Sequence, residues 1–164
     1  MLNFKRYGVL TAAGLLATTL SMAPALAAGD VVKVSLTETT ADMDLTMKLG
    51  MGMGGDMSKA TMFLKADPMS VKAGEVTFQV SNDSKTVVHE MILAAVADTA
   101  KPMPYVENEN RVDEDKAGDL GEVSELDPGK KGTLTVTLKP GTYLLYCNVP
   151  GHYISGMWAT ITAK

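Results

Sequence analysis

Three stretches of this chain alternate apolar and polar residues with a strict period of two. Val32, Val34 and Leu36 alternate with Lys33, Ser35 and Thr37; Val76, Phe78 and Val80 alternate with Thr77 and Gln79. Leu134, Val136 and Leu138 alternate with Thr133, Thr135 and Thr137. Successive side chains of a strand point to opposite faces, so each pattern describes a strand with one face in a core. Turn residues punctuate the strands at Lys72-Ala-Gly-Glu75, Asn82-Asp-Ser84, Asp127-Pro-Gly129 and Lys139-Pro-Gly-Thr142. Further strands are predicted over Val87–Val96, Thr142–Cys147 and Met157–Thr162, and helical periodicity is scarce. The pattern implies an all-β antiparallel sandwich.

Two segments depart from it. One is rich in methionine, with Met43, Met47, Met51, Met53, Met57, Met62 and Met69 around the glycine-rich LGMGMGGDM of Leu49 to Met57. The other runs from Asp98 to Asp127 with ten acidic residues against Lys101, Arg111 and Lys116. It is long for a hairpin connection, which predicts an excursion from the sheet with a short helix.

Lys5 and Arg6 precede an apolar run from Gly8 to about Met22, and Ala25-Leu26-Ala27 follows as a small-x-small cleavage site. This is the pattern of a cleaved secretory signal over residues 1–27, and the run is short for a bilayer span. Residues 28–164 are then a single domain delivered to the periplasm or the extracellular space. Loss of the leader leaves 13 basic against 19 acidic residues, a net charge of −6. Such a chain has no electrostatic footprint for nucleic acid. No further long apolar segment remains to span a membrane.

An exported domain with one cysteine cannot form an internal disulfide, so Cys147 needs another occupation. It stands in YCNVPGHYISGMW at the spacing Cys-x4-His-x4-Met, with His152 and Met157. Alternation puts Tyr143, Leu145 and Cys147 on one strand face, and Val87, His89, Met91 and Leu93 on another. A core histidine without a partner is costly, and a buried thiolate costlier. A cation held by His89, Cys147 and His152 removes both costs. With Met157 as a weak thioether on the axis, this is the trigonal His₂Cys set of an electron-transfer copper site. Structural zinc takes four strong Cys or His ligands, and here those types total three. A Cys–His hydrolase needs an exposed nucleophile and an orienting third group.

These residues also resemble a family. CNVPGHYISGM, the strand histidine in VVHEMIL and the lead-in LKPGTYLLYC are similar to the cupredoxins, the plastocyanin/azurin family. The ligand-loop spacing looks like that of the auracyanin and rusticyanin branch; plastocyanin has a shorter loop, and azurin differs by one residue. The resemblance runs from about Ala73 to Lys164 and is weak over residues 29–70. It implies a Greek-key sandwich with one type 1 copper at one end, held by His89, Cys147, His152 and Met157. It also implies an exposed edge on His152 that serves as the electron port. Azurin and plastocyanin place an asparagine after the strand histidine; here the position is Glu90, and Asn148 follows the cysteine. Glu90 is expected either to accept a hydrogen bond from Asn148 or a loop amide, or to stand solvated.

Two functions are open on these residues. One is a one-electron carrier, with the acidic Asp98–Asp127 segment steering a basic-faced redox partner. The other is a copper-handling protein, in which Met51, Met53 and Met57 hold an additional Cu(I). Met43, Met47, Met62 and Met69 are expected as core fillers. An enzyme of the nitrite reductase or multicopper oxidase kind needs further histidine-rich centres, and both histidines of the chain are already used.

Overall fold

A computed structural model describes residues 29–40 and 42–164; the signal sequence expected over residues 1–27 lies outside the described residues. Two sheets pack face to face. The first orders its strands β2 (Met62–Asp67), β1 (Asp30–Glu38), β4 (Gly74–Asn82) and β9 (Lys131–Leu138). The second orders β3 (Ser70–Val71), β11 (Trp158–Ala163), β10 (Gly141–Tyr146), β5 (His89–Val96) and β8 (Asp119–Leu126). A two-stranded ribbon joins β6 (Tyr105–Val106) to β7 (Arg111–Val112), and a single helical turn, α1, spans Glu114–Ala117.

The alternating stretches become β1, β4 and β9 as expected. Their inward residues Val32, Val34, Leu36, Val76, Phe78 and Val80 are buried against Met91, Leu93, Leu145 and Ile161 of the opposite sheet. Each such side chain contributes about 1.5–3 kcal/mol on burial. Most pairings are antiparallel, but β1 runs parallel to β4 and β3 parallel to β11. Both parallel pairs join segments that are not consecutive hairpins, as when the chain crosses from one sheet to the other.

The acidic segment is the expected excursion with a short helix over its first part, and departs from expectation over its last. Its last part is β8, an edge strand that pairs with β5 through irregular register. Of its side chains only Val123 is buried, so it shows little of the alternation that marks the inner strands. Its earlier part carries the ribbon and α1. Asp113 caps this turn, its carboxylate accepting from the Lys116 amide, and Gly118 ends it in the left-handed region.

These additions cover the outer face of the five-stranded sheet. Ile92, Ala94, Leu144 and Tyr146 point outward from β5 and β10 into a second cluster with Met51, Met103, Val112, Tyr153 and Ile154. The first six residues of β5 are therefore buried on both faces. Part of the cover is the glycine-rich stretch. The Trp158 indole donates to the Leu49 carbonyl at 2.7 Å, and the Leu49 amide donates to the Ile154 carbonyl at 2.8 Å. Gly52 has φ +73° and presses on the Lys101–Pro102 backbone, so a side chain there is excluded both sterically and conformationally.

Candidate metal centre

β5 opens with His89, and Cys147 follows the last residue of β10. Both are fully buried and lie at one end of the inter-sheet core. Asn148–Gly151 then reverse the chain, with the His152 amide donating to the Val149 carbonyl at 3.0 Å. Gly151 takes φ +85°, a turn conformation that suits glycine. The Met157 amide donates to the His152 carbonyl at 3.1 Å, and the Cys147 amide donates to the Met157 carbonyl at 3.1 Å. The loop is thus closed on itself, with Cys147 and Met157 side by side at its base.

The donor atoms converge. His152 Nδ1 lies 3.2 Å from His89 Nδ1 and 3.3 Å from Cys147 Sγ. His89, Cys147 and His152 bring ligand atoms within 4.8 Å of one another, the one such group among the described residues. The Glu90 amide donates to Cys147 Sγ at 3.4 Å. Burial pushes the Cys147 thiol up to about 12, so a thiolate forms here only against a cation. Burial, and then the neighbouring His89, push His152 down to about 4. Burial also lowers His89, against the opposing pull of the Glu38 carboxylate. Two neutral imidazoles and a thiol ready to lose its proton to a metal are the donor set that one type 1 copper takes.

The model of copper-binding proteins of the plastocyanin/azurin family matches residues 50–164. The chain belongs to that family. This cupredoxin is similar in sequence to an auracyanin and in fold to auracyanins and rusticyanins. Auracyanin-B of Chloroflexus aurantiacus is 31% identical over 90 residues, which cover 51% of this chain and 38% of that relative. The reduced auracyanin of Roseiflexus castenholzii superposes with a TM-score of 0.50 at 20% identity, over 84% of this chain and 98% of that one. Rusticyanin from Thiobacillus ferrooxidans superposes with a TM-score of 0.51 at 16% identity, over 84% and 79% of the two chains. At these identities the solved structures share the fold.

In this cupredoxin His152 departs from expectation, while Glu90 takes the loop-amide hydrogen bond that was one of its two expectations. His152 has no exposed edge: it is only 2% exposed. Leu45 and Met43 lie against Gly151, so the segment after β1 lies over the ligand loop. Glu90 points away from the inter-sheet core, as alternation requires, yet it is only 7% exposed because that side is covered too. Its Oε1 accepts from the Asn148 amide at 3.0 Å. Asn148 in turn ties the loop to the acidic segment, its Oδ1 accepting from the Val112 amide at 2.7 Å and its Nδ2 donating to the Val112 carbonyl at 3.0 Å.

The methionines divide differently from expectation. Met62 is buried, but Met43 and Met69 are 37% and 63% exposed and fill no core. Met51, expected on a flexible loop, is buried in the second cluster, while Met53 is half-buried and Met57 exposed. Glycines at 50 and 52 caused the contrary expectation: they allow close backbone approach, which carries Met51 inward rather than leaving it free.

One residue at the site was missed altogether. Glu38 Oε2 lies 2.8 Å from His89 Nε2. Burial raises the Glu38 carboxyl, but hydrogen bonds from His89 and Ser84 outweigh it and hold the group below its ordinary value. A signal was present: Glu38 continues the phase of Val32, Val34 and Leu36, so a carboxylate occupies a core-facing position.

Proposed function

We propose that this cupredoxin is an exported one-electron carrier, with copper held by His89, Cys147 and His152 and with Met157 as a weak fourth ligand. The observation that carries the reading is the convergence of Nδ1, Nδ1 and Sγ in a site closed to solvent. Copper bound there supplies a one-electron couple at a site with no access for a substrate. The chain's part is to keep the donors fixed. Cys147 is held by the β10–β11 pairing and by the Glu90 amide, and His152 is held by the closed loop. Met157 is fully buried and adjoins Cys147 in the same core. Glu90 and Asn148 act behind the ligands by locking the residue after the cysteine. Cleavage after Ala27 and export belong to this proposal. Among the described residues, no helix is long and apolar enough to cross a membrane.

Titrating the metal-free protein with Cu(II) tests the reading. An intense visible charge-transfer band is expected to saturate at one equivalent; uptake without that band overturns it. Counting bound Cu(I) tests the copper-handling alternative. A second ion that disappears when Met51, Met53 and Met57 are replaced together favours handling.

The redox partner we propose is basic-faced. Glu107, Glu109, Asp115, Asp119, Glu122 and Glu125 are exposed along the acidic segment. Its association rate is expected to fall as salt is raised from about 0.01 to 0.15 M, where the screening length drops from about 30 to 8 Å. A salt-independent rate measured by stopped flow would remove the acidic segment from the encounter.

A further inference from the structure

Glu38 ends β1, and its carboxylate is held at both oxygens. Oε1 accepts from the Ser84 hydroxyl at 2.7 Å, and Oε2 lies 2.8 Å from His89 Nε2. The Ser84 oxygen itself accepts from the amides of Thr86 at 3.0 Å and Val87 at 2.8 Å, which leaves its one proton for Glu38. The turn carrying Ser84 is fixed in its turn by Asn82. Asn82 Oδ1 accepts from the Ser84 amide at 3.0 Å, and Nδ2 donates to the carbonyls of Val87 at 2.9 Å and Leu126 at 2.7 Å.

The other side of the His89 ring faces the donor cluster, with Nδ1 3.2 Å from His152 Nδ1. A neutral imidazole carries one proton, and the partner of each nitrogen decides where it sits. A carboxylate on Nε2 places the proton there and leaves the Nδ1 lone pair directed at the site. Glu38 therefore puts a negative charge one imidazole ring away from the metal position.

We infer that Glu38 is a positioning residue of the metal centre: it fixes the His89 tautomer, aims Nδ1 at the metal, and favours the more positively charged oxidised metal over the reduced one. The inference rests on the copper reading above. Its physical basis is that a carboxylate behind a ligating histidine both orients the ring and raises its basicity. Reduction removes one positive charge from the site, so a fixed anion nearby stabilises the oxidised form more. A neutral acceptor in the same place would orient the ring without that bias.

Two variants separate orientation from charge. Glu38→Gln keeps an acceptor oxygen and removes the charge; Glu38→Ala removes both. Glu38→Gln is expected to shift the ratio of Cu(I) to Cu(II) affinity about tenfold towards Cu(I), which raises the one-electron potential by about 59 mV. Glu38→Ala is expected to lose about 10–100-fold in copper affinity as well. Unchanged potentials in folded variants, judged by circular dichroism, would overturn the inference. If Glu38→Ala does not fold, the potential of Glu38→Gln alone decides it.

A second readout needs no copper. In nitrogen-15 spectra of the metal-free protein, His89 is expected to hold its proton on Nε2 in the wild type and to lose that single tautomer in Glu38→Ala. A proton on Nδ1 of wild-type His89 would overturn the inference whatever the metal does. Failure of the wild type to develop the charge-transfer band would sink the copper reading instead, and leave the tautomer result to decide the role of Glu38.

Discussion

Cys147→Ser is expected to abolish the intense visible absorption of the copper-loaded protein while leaving the fold in place. The exchange replaces a soft sulfur with a hard oxygen of similar size at a fully buried position. The visible band requires a thiolate donating to copper, and no second cysteine exists to take over. Serine also gives up no proton at ordinary pH, so His89 and His152 would face the metal without an anionic partner. Changes behind a ligand cost about 10–100-fold in metal affinity. Loss of the thiolate itself is expected to exceed the upper end of that range. The fold should survive because the Glu90 amide, which donates to Cys147 Sγ, can donate to a hydroxyl in the same place. Circular dichroism of the metal-free variant, with a Cu(II) titration beside the wild type, checks both halves. A band retained at comparable intensity would remove Cys147 from the site.

The second large effect is on stability against pH in the metal-free protein. Burial raises the Glu90 carboxyl to about 7 from an ordinary 4.5, with the Asn148 amide opposing and Glu114 adding to the rise. A carboxyl raised in the folded state binds its proton more tightly there than in the unfolded chain. Its stabilising contribution is fully present below 4.5 and is lost as pH rises through 7, about 3 kcal/mol in all. His152 behaves oppositely. Its folded value of about 4 lies below the ordinary 6.5, so its contribution is present above 6.5 and is lost as pH falls through 4, again about 3 kcal/mol. Between those limits the two slopes oppose one another and flatten the wild-type profile.

Glu90→Gln removes one of them. Glutamine keeps an oxygen for the Asn148 amide but does not ionise. Relative to wild type, the variant is therefore expected to gain about 3 kcal/mol between pH 4 and pH 8. Urea unfolding across that range measures the difference directly, and groups common to both proteins cancel. Parallel stability curves would mean that Glu90 ionises as it does in water.

The sequence by itself determined the strands of the inter-sheet core, their turns and the three residues that converge at the candidate metal centre. Val32, Val34, Leu36, Val76, Phe78 and Val80 carry a period-two signal within a few residues of one another, and local geometry alone converts it into a buried face. Cys147 and His89 ride the same signal, and His152 follows through a short glycine-containing loop. Only the tertiary structure decided what lies on the far side of each strand. Alternation points Glu90 away from the core, but whether water or protein waits there depends on the acidic segment and the loop after Cys147. Met51 enters a core because Tyr146 and Tyr153, about a hundred residues away, supply one. Glu38 reaches His89 across 51 residues of chain. Such contacts are set by how the sheets and loops are stacked, and the periodicity within a strand has no term for distant neighbours. The converging residues are therefore legible in the chain, while the groups that cover them and hydrogen-bond to them are products of packing.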